Sequence, residues 1–299
     1  MTRGDCCAAV DVGGTFIKSA LLTPAGEFLG EPGETRVDSS GSAPEIEASF
    51  RGLARGIAKK ADEAGLRVTG VGVSTPGPFD YEGGRYMTDH KYAAIKGIPI
   101  RPWLTDGLGD VPVCFVHDST AYMLGLLMEP RMSGYRSVAA VMLGTGLGFS
   151  LCVGGTILKN PQGGPGVSLY KQPYRDGIAE EYVARRGIIA RYAAEVPGGQ
   201  TVDVVDIAER ARAGDAAARR VFAQTGAMLG EILRPVLEQY EVECLVAGGQ
   251  IARSFDLFEA ELRQALAGTR ALKAILPALD FTGTPLRGAF AHLKRCVAG

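Results

Sequence analysis

The chain has 299 residues, of which 46% are hydrophobic and 22% charged, a composition typical of a soluble globular protein with one large domain or two ordinary ones. Its 32 basic and 33 acidic residues leave a net charge of −1, which argues against partners recognised through a basic surface, such as nucleic acid or an anionic membrane. No apolar run approaches the roughly 20 residues needed to span a bilayer, and the N-terminus has no signal-peptide cleavage pattern.

The six cysteines show no metal-binding or redox spacing. They are Cys6, Cys7, Cys114, Cys152, Cys244 and Cys296. None forms a C-x-x-C pair, and no histidine is spaced to complete a zinc site. Because Cys114, Cys152 and Cys244 lie in apolar runs, where cysteine behaves as a small hydrophobe, we expect incidental thiols in a reduced, cytoplasmic protein.

The first predicted structure is a β-hairpin followed by a third strand. An apolar strand passes through Asp11 into Gly13, Gly14 and Thr15, and residues 16–22 form the second strand. The glycines would let backbone N–H groups approach a ligand, Thr15 adds a hydroxyl, and Asp11 could hold a metal-bound water. An ordinary tight turn with a chance aspartate explains the same residues, so both interpretations stay open.

A helix, a strand and a loop are predicted next. Residues 44–65 form a helix with one apolar face, and residues 68–74 form a buried strand that runs into the turn 75–80. That turn is either structural or one wall of a ligand site. Residues 81–102 are predicted to be loop, with a polar cluster at 87–91 that either is solvated or lines a site, and a short helix starts at Trp103.

A carboxylate follows the next strand. Residues 111–116 form a buried strand, His117 and Asp118 come directly after it, and residues 122–128 form a helix. Ligands of α/β folds bind at the carboxyl ends of strands, so we interpret Asp118 as a general base.

The second half of the chain repeats the layout of the start. Residues 137–143 form a strand that ends in Gly144-Thr145-Gly146, and residues 149–153 and 156–158 form two more strands around a turn. The spacing of roughly 130 residues indicates two related lobes. Two glycine turns facing each other would cradle phosphates in a nucleotide cleft.

The remaining residues are predicted to be mostly helical. We expect a loop at 160–176, helices at 177–195, 202–214, 215–240, 254–267 and 286–296, a strand at 243–247 and a short segment at 272–276. The strand at 243–247 ends in a third glycine turn, Gly248-Gly249-Gln250.

Five motifs in chain order resemble a known family. Three are similar to the two phosphate motifs and the adenosine motif of the actin-like ATPase superfamily: Asp11-Val12-Gly13-Gly14-Thr15, Leu143-Gly144-Thr145-Gly146-Leu147-Gly148 and Val246-Ala247-Gly248-Gly249-Gln250. Two narrow the resemblance to the ROK family of sugar kinases and repressors: Gly72-Val73-Ser74-Thr75-Pro76-Gly77-Pro78-Phe79-Asp80 and His117-Asp118-Ser119-Thr120-Ala121. The resemblance covers nearly the whole chain.

The resemblance implies a fold and an architecture. We expect two α/β lobes of the ribonuclease-H-like, actin-like ATPase type around a cleft that closes on sugar binding. The N-terminal lobe would comprise residues 1–117 joined by the C-terminal helix at about 285–299, and the C-terminal lobe residues 118–284. A cytoplasmic homodimer is expected. Family repressors carry a winged helix before the first strand, whereas that strand begins here within the first ten residues, so DNA binding is not expected.

The resemblance also implies ATP-dependent phosphorylation of a hexose or a hexose derivative. Asp118 would take the proton of the attacking hydroxyl, and Asp11 would support Mg²⁺ through a water molecule. The implied ATP-binding residues are Gly13, Gly14, Thr15, Lys18, Gly144, Thr145, Gly146, Gly248, Gly249 and Gln250. The implied sugar-binding residues are Ser74, Gly77, His117, Ser168 and Glu180.

The chain departs from the family at two places. His117 stands where most members have an asparagine that contacts the sugar, so it is either a sugar ligand or a packed residue with one satisfied nitrogen. The family's zinc motif, a Gly-His followed by three cysteines, should lie between Gly163 and Glu180, where this chain has neither Cys nor His. A structural zinc is therefore predicted to be absent. Ser168 is nearest to the missing histidine's place, and Glu180 matches the glutamate that contacts the anomeric end of the sugar.

Two other functions stay open at this point. The altered His117 and the missing Gly-His would suit a non-catalytic or regulatory sugar-binding relative. Relatives that use polyphosphate also lack the cysteines, although the Gly248-Gly249-Gln250 turn favours ATP.

Overall fold

The computed structural model describes residues 3–196 and 202–298, which form two compact units. The first unit comprises residues 1–133, 159–164 and 282–299, and the second comprises residues 134–158 and 165–281. The domain boundary after residue 117 stays a prediction. The predicted N-terminal lobe includes residues 1, 2 and 299, which lie outside the described residues. Among the described helices, none combines the length and the apolar character needed to cross a membrane.

The first unit is a mixed sheet with helices. Up to residue 133 the strands are β1 (Gly4–Val12), β2 (Phe16–Leu22), β3 (Gly33–Arg36), β4 (Leu66–Thr75), β5 (Phe79–Asp80), β6 (Arg85–Tyr86) and β7 (Val113–His117), and the helices are α1 (Ala43–Glu63), α2 (Arg101–Leu104) and α3 (Asp118–Leu127), with 3₁₀ turns at Ala93–Ile95 and Pro130–Met132.

The second unit repeats this plan, and the last helix returns to the first unit. Its strands are β8 (Val138–Leu143), β9 (Leu147–Val153), β10 (Thr156–Ile157), β11 (Pro173–Tyr174), β12 (Gly177–Ile178), β13 (Cys244–Gly248) and β14 (Ala274–Pro277), and its helices are α4 (Ala179–Val183), α5 (Arg185–Glu195), α6 (Val204–Arg212), α7 (Ala216–Gln239) and α8 (Glu259–Ala265), with a 3₁₀ segment at Gln250–Leu257. The final helix is α9 (Gly283–Ala298).

The two five-stranded sheets confirm the predicted internal repeat. Their strand orders are β3-β2-β1-β4-β7 and β10-β9-β8-β13-β14. In each, the first strand is antiparallel to its hairpin partner and parallel to the strand on its other side. The carboxyl ends of the parallel strands therefore share one edge of each sheet, which is where such folds bind ligands.

Helix α1 forms as its sequence predicts. Ser42 and Glu45 make a capping box, which satisfies backbone N–H groups at its start. The predicted apolar face, Ile46, Phe50, Leu53, Ile57 and Ala61, is buried. This face packs into the apolar core of the first unit and so fixes one side of its sheet.

Helix α9 packs on α3 and β4 through glycines. A methyl group on Gly288 would lie 1.6 Å from the carbonyl oxygen of Ala121, and one on Gly125 would lie 1.8 Å from that of Thr284. Gly72 approaches the backbone of Ala289 in the same way. Because no side chain separates these backbones, α9 lies directly behind the strands that carry the predicted site.

Two helix predictions are wrong in part. The predicted helix at 177–195 breaks at Ala184, whose extended backbone (φ −89°, ψ 178°) separates α4 from α5. The break allows Gly187 to approach the carbonyl oxygen of Glu181, with only 2.2 Å available to a methyl group there. The predicted helix at 254–267 is a 3₁₀ segment followed by the short α8.

Two segments are more regular than predicted. The predicted loop at 81–102 contains β6, which pairs with β5, and the start of α2. The short segment at 272–276 is largely a strand, β14, which pairs with β13.

Two of the six cysteines form a disulfide, so the expectation of incidental thiols is wrong for this pair. Cys114 of β7 is bonded to Cys296 of α9, with their Cα atoms 6.5 Å apart. The two residues are separated by 182 positions, so only the packing of α9 reveals the pair. The other four cysteines are buried thiols.

Candidate active site

Asp118 begins α3 at the carboxyl end of β7, and one of its two carboxylate oxygens is hydrogen-bonded to the chain. Its Oδ1 accepts a hydrogen bond of 2.6 Å from the backbone N–H of Ser119 and lies 2.8 Å from His117 Nδ1. Its Oδ2 makes no hydrogen bond with any described residue, and the side chain is 48% exposed. One carboxylate oxygen is therefore held in place while the other is available to a ligand.

His117 has one satisfied ring nitrogen. Its Nδ1 caps α3 by accepting from the backbone N–H of Ser119 at 3.2 Å, and it lies 2.8 Å from Ser119 Oγ. Asp118 Oδ1 also lies 2.8 Å from Nδ1, so Nδ1 has a partner within the chain whichever ring nitrogen carries the proton. The Nε2 edge of the ring lies against Gly77, where a methyl group would be 3.4 Å from Nε2. His117 is thus a packed residue that still presents one nitrogen, and its contact with a sugar stays a prediction.

Asp11, Ser74 and Lys18 lie together on β1, β4 and β2. The pairing of these strands sets Asp11 opposite both residues, and Ser74 Oγ donates a hydrogen bond of 2.7 Å to Asp11 Oδ1. Burial raises the pKa of Asp11 to about 6; the charge of Asp118 also raises it, while Ser74 and Lys18 oppose the shift. The site therefore carries an excess of negative charge that a cation would relieve.

A magnesium ion fits this arrangement only with help from a substrate. The described residues contain no group of three His, Cys, Asp or Glu side chains placed to hold a metal. Mg²⁺ is commonly bound by one or two carboxylates together with waters and phosphate oxygens. Asp11 is suited to holding a water ligand of Mg²⁺. The negative charges of Asp11 and Asp118 together are the feature of the site that favours a cation.

The first glycine turn is contacted by Tyr92, which the sequence did not single out, and by Lys91 of the polar cluster at 87–91. A methyl group on Gly13 would lie 2.7 Å from the Phe16 carbonyl oxygen, so the turn itself requires this glycine. Tyr92, buried and with φ of 62°, donates its hydroxyl to the Gly13 carbonyl at 2.5 Å. The side chain of Lys91 lies over Gly14, with its Cε 3.5 Å from the position of a methyl group there. Thr15 is exposed beside them.

The second and third glycine turns lie side by side in the second unit. Gly249, with φ of 79°, packs so closely that a methyl group would lie 2.3 Å from the Leu143 carbonyl oxygen. Gly248 ends β13 opposite Met142 of β8. Gly144 differs, because no atom lies within 4 Å of the position of a methyl group there. Packing does not require this glycine, which suits a turn that leaves room for a phosphate.

Of the other predicted site residues in the second unit, two are hydrogen-bonded within the chain and two are exposed. Glu180, in the first turn of α4, accepts from the backbone N–H of Leu147 at 2.9 Å and packs on Gly146. Gln250 accepts from Arg253 at 2.8 Å, while Thr145 and Ser168 are exposed. Glu180 therefore supports the second glycine turn, a role that its spacing did not predict.

Tyr81 is a further site residue that the sequence did not indicate. It lies in the turn between β5 and β6, and its ring packs 5.3 Å from the ring of Phe79 and 6.3 Å from that of His117. A methyl group on Gly163 would lie 2.9 Å from the ring, so this glycine covers Tyr81 closely. No periodicity links residues 81 and 163, which is why only the fold reveals the contact.

Two cavities lie elsewhere. One, of about 290 Å³, lies against β2 and the end of α1, and another, of about 590 Å³, lies at the start of α5. Neither is lined by a predicted site residue. The candidate site is therefore identified by its chemistry and not by cavity volume.

Comparisons with known proteins identify the family of this chain. The model of the ROK family matches residues 7–295. A glucokinase from Thermotoga maritima is 22% identical over 296 residues, which cover 92% of this chain and 89% of that protein.

Two solved structures share the fold. A ROK family glucokinase from Streptomyces griseus in complex with glucose and AMPPNP has a TM-score of 0.74 at 20% identity, covering 97% of this chain and 99% of that one. A ROK family transcriptional regulator, a homologue of the E. coli MLC protein, has a TM-score of 0.79 at 19% identity, covering 97% and 78%. The predicted fold class, two α/β lobes of the actin-like ATPase type, is confirmed. Because a kinase and a regulator share this fold, the function has to be argued from the site.

Proposed function

Because this chain belongs to the ROK family, we propose that it is an ATP-dependent kinase that phosphorylates a hydroxyl of a hexose or a hexose derivative. The observation that carries the proposal is the carboxylate of Asp118 at the end of β7. One of its oxygens is fixed by the Ser119 N–H, and the other bonds no described residue. A general base needs this combination of fixed position and free acceptor.

Asp118 removes one proton in the proposed reaction. The sugar hydroxyl hydrogen-bonds to Asp118 Oδ2, and its proton passes to that oxygen as the hydroxyl oxygen attacks the terminal phosphorus. The new bond joins the sugar oxygen to phosphorus, and the bond from phosphorus to the bridging oxygen of ADP breaks. ATP would supply the phosphoryl group, and a Mg²⁺ ion bound with it would offset the charge of the phosphate oxygens.

The glycine turns bind the nucleotide in this proposal. The open position at Gly144 leaves room for phosphate oxygens, and Thr145 and Gly146 complete that turn. Gly248, Gly249 and Gln250 lie beside it and bind the adenosine. In the first unit Gly13, Gly14, Thr15 and Lys18 contact phosphate, and Asp11 holds Mg²⁺ through water.

Sugar binding is assigned to both units. His117 and Gly77 contact the sugar in the first unit, where Ser74 Oγ acts as an acceptor because its proton is given to Asp11. Glu180 and Ser168 are the proposed contacts of the second unit. We propose that the kinase works without zinc, as a homodimer in the cytoplasm.

A coupled ADP-release assay over a panel of hexoses and amino sugars tests the proposal. Asp118→Asn keeps the shape of the side chain but removes the base, so kcat should fall by about 10²–10⁴-fold while the sugar affinity changes little. Asp110→Asn, an exposed aspartate of the same unit, is the matched control and should leave kcat unchanged.

Three results would redirect the assignment. An Asp118→Asn variant that retains more than a tenth of the wild-type kcat would contradict the role of this residue. Silence across the panel together with tight sugar binding would favour a regulatory sugar-binding protein. Turnover with polyphosphate and no nucleotide would replace ATP as the donor.

A further inference from the structure

The hydroxyl of Tyr81 is buried and has no partner. The oxygen is fully enclosed, yet it makes no hydrogen bond with any residue that the structure describes. Buried polar groups are nearly always paired, because an unpaired hydroxyl costs roughly 1–3 kcal/mol. Phenylalanine would fill the same space without that cost, so the hydroxyl requires an explanation.

The ring of Tyr81 is held firmly. Phe79 packs on it at 5.3 Å, and Gly163 closes over it. Gly163 is itself fixed in a compact turn, where its N–H donates to the carbonyl of Asn160 at 3.0 Å, and Asn160 Oδ1 accepts from the N–H of Gly164 at 2.9 Å. The hydroxyl therefore has a defined position.

The hydroxyl shares a small space with His117. A methyl group on Gly77 would lie 3.4 Å from Tyr81 Oη and 3.4 Å from His117 Nε2, so both atoms lie beside the same face of this glycine. The described residues offer neither atom a hydrogen-bond partner. We define the Gly77 niche as the space between Gly77, Tyr81 Oη and His117 Nε2.

The chemistry of the niche selects a ligand group. His117 Nε2 donates when it carries the ring proton and accepts when Nδ1 donates that proton to Asp118 Oδ1, 2.8 Å away. The phenol both donates and accepts, and burial, with the charge of Asp118, raises its pKa and keeps it protonated. A ligand hydroxyl both donates and accepts, so it can bridge Nε2 and Oη with either tautomer once the side chains that enclose Oη make room for it, and this satisfies all three groups.

We propose that Tyr81 determines sugar specificity, because its hydroxyl and His117 Nε2 together bind one hydroxyl of the sugar in the Gly77 niche. This inference rests on the proposed function, since it places a sugar beside Asp118. A site that pairs a substrate hydroxyl discriminates strongly against the analogue that lacks it, because the groups of the site are then left unpaired.

Isothermal titration without nucleotide tests the inference. The titrants are the tightest-binding hexose among glucose, mannose, galactose and glucosamine, and its 2-, 3- and 4-deoxy analogues. In the wild type one analogue should bind at least about 10-fold more weakly than the parent. Tyr81→Phe should weaken binding of the parent about 10-fold and leave that one analogue almost unchanged.

Two variants support the measurement. Tyr81→Phe loses no hydrogen bond within the described chain and removes an unpaired buried hydroxyl, so without sugar it should melt at the wild-type temperature or above it. Gly77→Ala places a methyl group in the niche. It should weaken binding of the parent hexose more than binding of the deoxy analogue that the wild type binds weakly. Tyr240→Phe, a half-buried tyrosine at the end of α7, is the control and should change nothing.

The inference is overturned if Tyr81→Phe binds the parent as tightly as the wild type, or if it loses affinity equally for the parent and every analogue. Failure of all four hexoses to bind the wild type also overturns it. Because only binding is measured, a protein that binds sugar through Tyr81 but transfers no phosphate would contradict the proposed function and leave this inference standing.

Discussion

At the scale of single residues, the backbone N–H of Ser119 orients Asp118, the proposed general base. Its N–H is shared between Asp118 Oδ1 at 2.6 Å and His117 Nδ1 at 3.2 Å. One donor therefore orients both neighbouring side chains at the start of α3, where the helix dipole also favours a carboxylate. This is a local consequence of the order His117-Asp118-Ser119 at the end of a strand.

Asp11 provides a prediction about pH and stability. Its folded pKa of about 6 lies above its ordinary value of 3.8, so the folded protein binds the proton more tightly than the unfolded chain. Its charge therefore destabilises the fold above pH 6, and this cost disappears as the pH falls below about 4. Asp11→Asn should be more stable than the wild type at pH 8, by up to about 3 kcal/mol, and the gain should vanish near pH 4.

Urea unfolding of both proteins without magnesium at pH 8, 5 and 4 measures this difference. Groups that titrate equally in the two proteins cancel, and the asparagine carbonyl still accepts from Ser74. A gain that is the same at all three pH values would show that the charge of Asp11 is not its source.

Site residues differed in how far the sequence could predict them. Asp118 and the glycine turns stand next to strands that are recognisable by their apolar runs, so their places at the sheet edges follow from local pattern. Tyr81 and Tyr92 gain their surroundings from residues distant in the chain, Gly163 and Gly13, and no local pattern encodes such contacts. The residues that the sequence missed are therefore those whose neighbours are set by tertiary packing.

At the scale of elements, two helices use glycine in opposite ways. A methyl group on Gly52, on the exposed side of α1, would have no atom of a described residue within 4 Å. A methyl group on Gly288 of α9 would lie 1.6 Å from the carbonyl oxygen of Ala121. Gly52→Ala should raise the free energy of unfolding by about 0.5–1 kcal/mol, since glycine is a poor helix former. Gly288→Ala should lower it by at least about 1–3 kcal/mol, because α9 must move away from α3.

Urea unfolding of the two variants makes a matched comparison, because the chemical change is the same in both. Equal effects of the two substitutions would contradict the close contact of α9 with α3. A Gly125→Ala variant should behave like Gly288→Ala, since it faces the Thr284 carbonyl at 1.8 Å.

Element boundaries show where periodicity fails. Helix α1 has its apolar stripe within its own residues, and its cap, Ser42, and a terminal glycine, Gly65, lie next to its ends. It could therefore be predicted almost completely from local sequence. The break at Ala184 has no glycine or proline to mark it. It results from the close packing of Gly187 on the end of α4, which a sequence pattern does not record.

At the scale of the whole molecule, a disulfide links the last helix to β7, the strand that precedes Asp118. The Cys114–Cys296 bond closes a separation of 182 residues, and disulfides across long loops typically stabilise by about 2–4 kcal/mol. Adding a thiol reductant should therefore lower the melting temperature of the wild type. Cys296→Ser should melt at the temperature of the reduced wild type and should not respond to reductant.

Differential scanning calorimetry with and without reductant distinguishes these cases. Cys244→Ser, which alters a buried thiol outside the disulfide, is the control and should keep the response to reductant. A wild-type melting temperature that reductant leaves unchanged would show that the bond contributes nothing to stability.

The return of α9 to the first unit has a consequence for the order in which the protein can mature. Residues 282–299 leave the ribosome after every residue of the second unit, yet α9 lies against β1, β4 and α3. The unit whose chain is synthesised first is thus completed last. During translation β1, β4 and α3 therefore have one face uncovered until α9 has been synthesised, and we expect the surroundings of Asp118 to reach their final packing only after synthesis has passed Gly288.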